Sequence, residues 1–112
     1  MTMNCKHMYT IIVTINKMIP CQKYDRQEYP FYDEDKQVTV YVAKSIKKVD
    51  EKVRKLLKKY ERMLKLYGSP LYTSYTEYDQ YILSIGDVYE SSRGKEYIKN
   101  VQIKIFEAKV LK

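Results

Sequence analysis

Hydrophobic positions along the chain follow a period of two in some segments and steps of three and four in another. From Met8 to Ile19 apolar and polar residues alternate, which is typical of a strand, and Pro20 ends the run. One face of this predicted strand carries Tyr9, Ile11, Val13 and Ile15, and the other carries Thr10, Ile12 and Thr14. The segment QVTVYVAKSI predicts a second strand, in which Val38, Val40 and Val42 share one face while Thr39 and Tyr41 share the other.

The connection between these two strands has no sustained period. Residues 20–36 hold two prolines and a mixture of charged and aromatic residues, so they predict a long connection, either without a strand or with a short one near the aromatic residues. We expect the acidic run from Asp33 to Asp35 to be a solvated turn.

An amphipathic helix is predicted from Ile46 to Tyr67. Apolar residues recur there at steps of three and four, namely Ile46, Val49, Val53, Leu56, Leu57, Tyr60, Met63, Leu64 and Tyr67. Ser45 has the side chain of an N-cap, Gly68 is expected at the position C′, and Pro70 ends the helical segment.

The last third of the chain predicts a hairpin. The segment QYILSIGDVYE forms its first strand with a bulge at Gly86, SSRGK forms the turn, and EYIKNVQIKIFEAKVLK forms the final strand. The alternation changes parity near Phe106, which predicts a bulge there or the departure of the strand from the core.

These elements predict an α+β fold over a single domain, residues 1–112. We expect a mainly antiparallel four-stranded sheet in the order β-β-α-β-β, with one long helix packed on one face. A single helix covers only part of such a sheet, and its other face would carry Ile12, Tyr41, Ile82 and Phe106. We therefore expect a homodimer that packs sheet to sheet or edge to edge, although the loop at 20–36 folding across the sheet would serve equally.

Composition then narrows the class of protein. The longest apolar runs fall short of the ~20 residues that a membrane span needs, and the first residues do not have the pattern of a secretory signal. We expect an intracellular protein without a membrane segment. Thirteen tyrosines stand beside two phenylalanines and no tryptophan, together with 21 lysines and arginines.

This bias toward Tyr, Lys and Ile resembles that of small proteins from filamentous viruses of hyperthermophilic archaea, the lipothrixviruses of Sulfolobus. The resemblance covers the whole chain but includes no functional motif. It implies a virus-encoded protein that works in the cytoplasm of an infected archaeal host, and it transfers no catalytic or binding residue.

Charge is concentrated on the predicted helix. Nine basic and three acidic residues give it +6 of the chain's formal net charge of +7. On a helical wheel the basic residues lie opposite the apolar residues, so they predict an electropositive surface that can follow a phosphate backbone. The residues expected to contact DNA or RNA, with two from the hairpin turn, are Lys48, Lys52, Lys55, Lys58, Lys59, Arg62, Arg93 and Lys95. The alternative is a lysine-rich face that only solvates the protein.

Four tyrosines, Tyr72, Tyr75, Tyr78 and Tyr81, recur at intervals of three, which matches neither a helix nor a strand. If residues 72–81 were extended, Tyr72 and Tyr78 would project to one side and Tyr75 and Tyr81 to the other. We expect an edge segment or a subunit interface first, and stacking on unpaired bases second.

Residues for catalysis or metal binding are sparse. Cys5 and Cys21 flank an extended segment and are expected to be free thiols, and with the lone His7 they lack a fourth ligand for zinc. We expect no metal and no cofactor. The segment FEAKV places Glu107 and Lys109 on one side of a strand, so a Mg²⁺-dependent nuclease would need them to converge on Asp79 or Asp87.

The sequence thus favours a small non-enzymatic protein that acts by binding a macromolecule. Sequence-nonspecific nucleic-acid binding through the helix is the leading hypothesis. The first alternative is recognition of a host or viral protein through the Tyr-rich surfaces, and the second is the nuclease.

Overall fold

Two strands, one helix and three further strands follow one another along the chain in the computed structural model. It describes residues 5–20, 32–75, 79–92 and 94–111, with side chains over 8–20, 32–75, 79–92 and 94–107. The elements are β1 (Cys5–Pro20), β2 (Tyr32–Ala43), α1 (Ile46–Lys65), β3 (Gly68–Tyr75), β4 (Gln80–Val88) and β5 (Tyr97–Leu111). The architecture is α+β with one helix, as predicted.

All five strands belong to one antiparallel sheet, in the spatial order β2-β1-β5-β4-β3. The long strands β1 and β5 pair from Cys5 opposite Leu111 to Met18 opposite Tyr97, and β2 pairs with the other side of β1. At ~3.3 Å per residue β1 spans about 50 Å, whereas the 20 residues of α1 span about 30 Å. The helix therefore covers only part of one face.

The core lies between α1 and the central strands. Ile11, Val13, Val101 and Ile103 on the sheet are at most 1% exposed, and the helix contributes one buried stripe. That stripe consists of Val49, Val53, Leu56, Tyr60 and Leu64. The helical periodicity of the sequence therefore identified the correct packing face.

The sheet contains a fifth strand, β3, which follows α1. The predicted number of four strands and the predicted order β-β-α-β-β were therefore wrong. Strand β3 occupies an edge of the sheet, and its residues from Leu71 to Tyr75 are exposed, so burial imposes no alternation that a sequence pattern would show. Pro70 was predicted to end the helical segment but lies inside β3. Proline is tolerated at an edge because one side of an edge strand has no pairing partner.

The N-terminus of α1 agrees with the prediction, and its C-terminus does not. Ser45 is the N-cap, and its side chain accepts a hydrogen bond from the Lys48 backbone N–H at 3.2 Å. The helix ends at Lys65 with Leu66 as C-cap, so the prediction of Gly68 at C′ was wrong. Gly68 begins β3, and a Cβ on it would collide with the carbonyl oxygen of Asp87. The tight approach of β4 therefore requires the glycine.

The structure places a bulge at Gly86, as predicted, and none near Phe106. Between the pairs Gly68–Val88 and Pro70–Ile85, one residue of β3 lies opposite Gly86 and Asp87 of β4. Near Phe106 the β1–β5 register is continuous, and the irregularity in β5 lies instead at Lys99, opposite the step from Asn16 to Lys17. Strand β4 stops pairing with β5 at Lys104, so Phe106 marks the departure from the core.

Strand β2 is longer than predicted. It begins at Tyr32, so the acidic residues Asp33, Glu34 and Asp35 lie in a strand and not in a turn. They are exposed and pair with Ile19, Met18 and Lys17 of β1. An edge strand tolerates such charges because its side chains remain in water.

The two faces of β2 are the reverse of those expected. Tyr41 pairs with Ile11 on the face of the sheet that α1 covers. Val38, Val40 and Val42 lie on the other face, called the open face below, and are 55–60% exposed. Ile12, Ile82 and Phe106 belong to the open face, as predicted, and Tyr41 does not. The alternation itself was correct, but it carries no information on which face the helix covers.

Candidate nucleic-acid interface

The start of α1 is rich in lysine. Its first turn contains no acidic residue, while Lys44, Lys47 and Lys48 surround the Ser45 cap. The amino end of a helix already carries a partial positive charge, which normally favours carboxylates. This end of the molecule therefore presents cationic groups and backbone N–H groups together.

The basic residues of α1 lie mainly on the side of the helix that faces β2. The ammonium group of Lys52 lies 4.2 Å from the centroid of the Tyr41 ring on β2. At ~100° per residue Lys48, Lys55, Lys59 and Arg62 follow on the same side, toward solvent. We use the name basic flank for Lys44, Lys48, Lys52, Lys55, Lys58, Lys59 and Arg62.

The acids of α1 lie mostly on the opposite side, toward β3 and β4. Asp50 lines a cavity of about 130 Å³ with Asp79 and Tyr81, and Glu61 lines another with Pro70 and Tyr72. On this side of the helix, Lys65 forms an ion pair with Glu61 at 3.3 Å. Glu51 is the exception, since it lies between Lys48 and Lys55 on the helix surface.

A groove lies where the basic flank meets the end of β2. It has a volume of about 440 Å³. Its lining consists of Ile11, Tyr41, Val42, Ala43, Lys44, Ser45, Lys48 and Lys52. Three ammonium groups thus border an apolar floor, an arrangement that suits a ligand with anionic groups beside a flat apolar part, such as a nucleotide unit.

Two residues of this groove were not identified from the sequence. Tyr41 was assigned to the wrong face of β2, and Lys44 precedes the predicted helix. The sequence does contain a signal for Lys44. This residue directly precedes the N-cap Ser45, and the first turn of the helix contains lysines and no acid.

Six of the eight predicted nucleic-acid contacts belong to the basic flank, and the hairpin turn does not join them. Lys95 lies in the connection between β4 and β5, where the Gly94 N–H donates to the Tyr32 hydroxyl at 2.6 Å. The hairpin turn thus lies near Tyr32, whereas Lys48 lies near Ala43, and these two ends of β2 are about 36 Å apart. Lys95 is therefore far from the start of the basic flank. Arg93 lies outside the described residues.

The four tyrosines do not form one surface. Residues 72–81 are not a continuous extended segment, because β3 and β4 form a hairpin in which Tyr75 pairs with Gln80. Tyr72 and Tyr81 therefore share the helix side, while Tyr75 lies on the open face. Tyr78 lies outside the described residues, so the predicted interface remains a prediction for the other three.

Three phenols have a raised pKa. Burial raises the pKa of Tyr60, with a smaller contribution from Tyr41. Burial likewise raises the pKa of Tyr81, with further contributions from Tyr72, Asp79 and Asp50, and the pKa of Tyr97, next to Tyr32. Tyr60 lies in the core and Tyr81 packs against it, and all three phenols stay neutral at physiological pH.

The residues proposed for a nuclease are only partly brought together. Asp79 and Glu107 line the same small cavity, but Asp87 lies at the other end of β4, beside Gly68. No group of three or more His, Cys, Asp or Glu among the described residues has an arrangement that could hold a metal ion. The side chains of Lys109, Cys5 and His7, and Cys21 as a whole, lie outside the described part.

Comparison with known proteins finds no match for this chain among family models, curated proteins or solved structures. Within the described ranges, no helix has the length and apolar character needed to cross a bilayer.

Proposed function

We propose that the protein binds the phosphate backbone of nucleic acid through the basic flank of α1, without catalysing a reaction. The observation that carries the proposal is the uneven distribution of charged side chains around α1. Seven basic side chains lie toward β2 and at the amino end. Two of the three helix carboxylates, Asp50 and Glu61, lie on the other side, and Glu51 lies among the cations, between Lys48 and Lys55. A lysine surface that serves only for solubility needs no such separation of signs.

The geometry supports contact with phosphates more than reading of bases. Lys55, Lys58, Lys59 and Arg62 are exposed and extend along two turns of a straight helix, which is suited to successive phosphates. The groove at Tyr41 adds one aromatic ring that is already covered by Lys52. We therefore expect weak sequence preference and strong dependence on salt.

The test is a titration of labelled DNA and RNA, single- and double-stranded, at about 50 and 200 mM salt. A protein that neutralises about five phosphates of a duplex loses roughly 10²- to 10³-fold in affinity over this range. Absence of binding at the lower salt concentration would contradict the proposal and favour a protein partner.

A matched pair of variants locates the site. Replacing Lys55, Lys59 and Arg62 with Gln should weaken binding strongly and reduce the salt slope by about two to three. Replacing Lys95, Lys99 and Lys104 with Gln removes the same charge from exposed positions outside the basic flank and should have a small effect. Equal losses in both variants would show that net charge and not the basic flank determines affinity.

A further inference from the structure

We propose that β2 pairs with β2 of a second copy of this chain, antiparallel about Thr39, to form one continuous ten-stranded sheet. The first observation is the contrast between the two edges of the sheet. Edge strand β3 has eight residues, a proline and a bulge opposite it, which are common protections against pairing. Edge strand β2 has 12 residues, and its register with β1 is continuous from Tyr32 to Ala43.

The second observation is the composition of β2 from Gln37 to Ala43. This half of the strand carries no charge and no proline, and its three valines are 55–60% exposed on the open face. The middle of the open face is polar, with Gln102 and Lys104 on β5. Phe106 and, on the opposite edge, Leu71 are also exposed, but the three valines form a continuous row along β2, which a paired strand would cover in part with its own valines.

Charge complementarity identifies the partner as a second copy in antiparallel orientation. The beginning of β2 is acidic from Asp33 to Asp35, and its end is followed by Lys44 at the positive start of α1. Antiparallel pairing of two identical strands places the acidic end of each beside the basic end of the other. A parallel arrangement would bring like charges together.

The twofold axis also determines the register. It maps the open face onto itself, so residues that pair must have the same parity. Centring the pairing on Thr39 places Val38 opposite Val40, and Glu34 opposite Lys44, each of them twice. Centring it on Val40 would instead oppose Lys36 and Lys44, and centring it on Val38 would oppose Lys36 and Val40. Of these three registers, the one about Thr39 is the one that pairs valine with valine and also pairs opposite charges.

One consequence rests on the proposed function. Because the twofold axis is perpendicular to the sheet, both helices lie on the same face of the joined sheet. Both basic flanks then face the joined β2 strands. The second copy thereby supplies a second row of cations beside the first. A long nucleic acid would contact both rows, whereas a short one would contact one.

Disulfide trapping tests the pairing directly, in the absence of nucleic acid. In a background with Cys5→Ser and Cys21→Ser, Thr39→Cys should form a covalent dimer on mild oxidation, since paired Cα atoms about 4.5–5.5 Å apart are within disulfide range. Thr73→Cys on the exposed edge strand β3 is the matched control and should stay largely monomeric. Equal crosslinking of both variants, or none of Thr39→Cys, would overturn the proposal.

Charge reversal tests the register. Glu34→Lys should weaken dimerisation, measured by sedimentation, about tenfold, because the contact occurs twice, and Lys44→Glu should restore it in the double variant. Glu90→Lys makes the same charge change on the exposed turn of 3-10 helix at Glu90–Ser92 and should leave dimerisation unchanged. A Glu34→Lys protein that dimerises like the parent would contradict this register.

Nucleic-acid binding then separates this proposal from the proposed function. Val40→Lys should disrupt the dimer and weaken binding to a long duplex while leaving a short duplex unaffected, although it adds positive charge. Leu71→Lys, at a similarly exposed position on the opposite edge, is the control. A dimer that binds no nucleic acid would refute the proposed function alone, and a monomer at all concentrations would refute the pairing alone.

Discussion

The ammonium group of Lys52 lies over the ring of Tyr41, 4.2 Å from its centroid. This contact joins the second turn of α1 to edge strand β2, and it places Tyr41 on the helix side of the sheet. The neighbouring valines consequently lie on the open face. The orientation of the basic flank, the groove at its base and the exposed apolar edge all depend on this relationship.

The orientation of β2 can be tested by stability. Tyr41 packs against the core, so Tyr41→Ala should lower the free energy of unfolding by about 1–3 kcal/mol through lost burial and the lost cation–π contact. Val40→Ala should change it by less than about 0.5 kcal/mol at protein concentrations where the chain is monomeric. Urea denaturation measures both, and the reverse order would mean that the valines face the helix.

The close approach at Gly68 predicts a large effect of a single methyl group. Gly68→Ala should destabilise the fold by about 1–3 kcal/mol, because the Cβ meets backbone and Ile85. Gly86→Ala meets only the side chain of Leu71, which can move, and should stay within about 1 kcal/mol of the parent. Thermal denaturation compares the stability of the two variants. Similar melting temperatures would contradict the conclusion that the approach of β4 requires a glycine at position 68.

Substitutions at the N-cap should separate stability from nucleic-acid affinity. Ser45→Asp keeps a capping oxygen and adds a negative charge at the helix start, so it should stabilise the protein by about 0.3–1 kcal/mol. The same charge among Lys44, Lys47 and Lys48 should weaken nucleic-acid binding. Ser45→Ala removes the capping oxygen without changing the charge, so it should lower stability by about 1 kcal/mol with little change in affinity. Parallel changes in both properties would contradict this assignment of the groove.

The buried phenols predict a loss of stability in alkali. An ionising tyrosine whose pKa is raised by folding contributes stability that is present below the unfolded pKa, near 10, and is lost as pH rises through the folded value. Unfolding free energy should therefore fall above about pH 10. Tyr60→Phe should reduce that fall, whereas Tyr75→Phe, on the exposed edge strand, should not. Denaturation at several pH values between about 8 and 11 provides the measurement.

Much of the local structure could be predicted because the residues that determine it are close in sequence. The stripe from Val49 to Leu64 needs only a helical period, and the cap at Ser45 needs only the adjacent backbone. The basic flank followed from the same period, since cations must lie away from the buried stripe. The bulge at Gly86 was likewise indicated by a glycine inside a strand pattern.

The sequence by itself determined that strands surround one amphipathic helix and that most of the positive charge belongs to that helix. The tertiary structure alone decided that β3 is a strand, because an exposed edge lacks the alternation that burial imposes. It also decided which face of β2 the helix covers, since a period of two distinguishes two faces but does not state which one meets the core. The register of β2 against β1, set by contacts between distant residues, placed Tyr41 beneath Lys52 and left the valines in water.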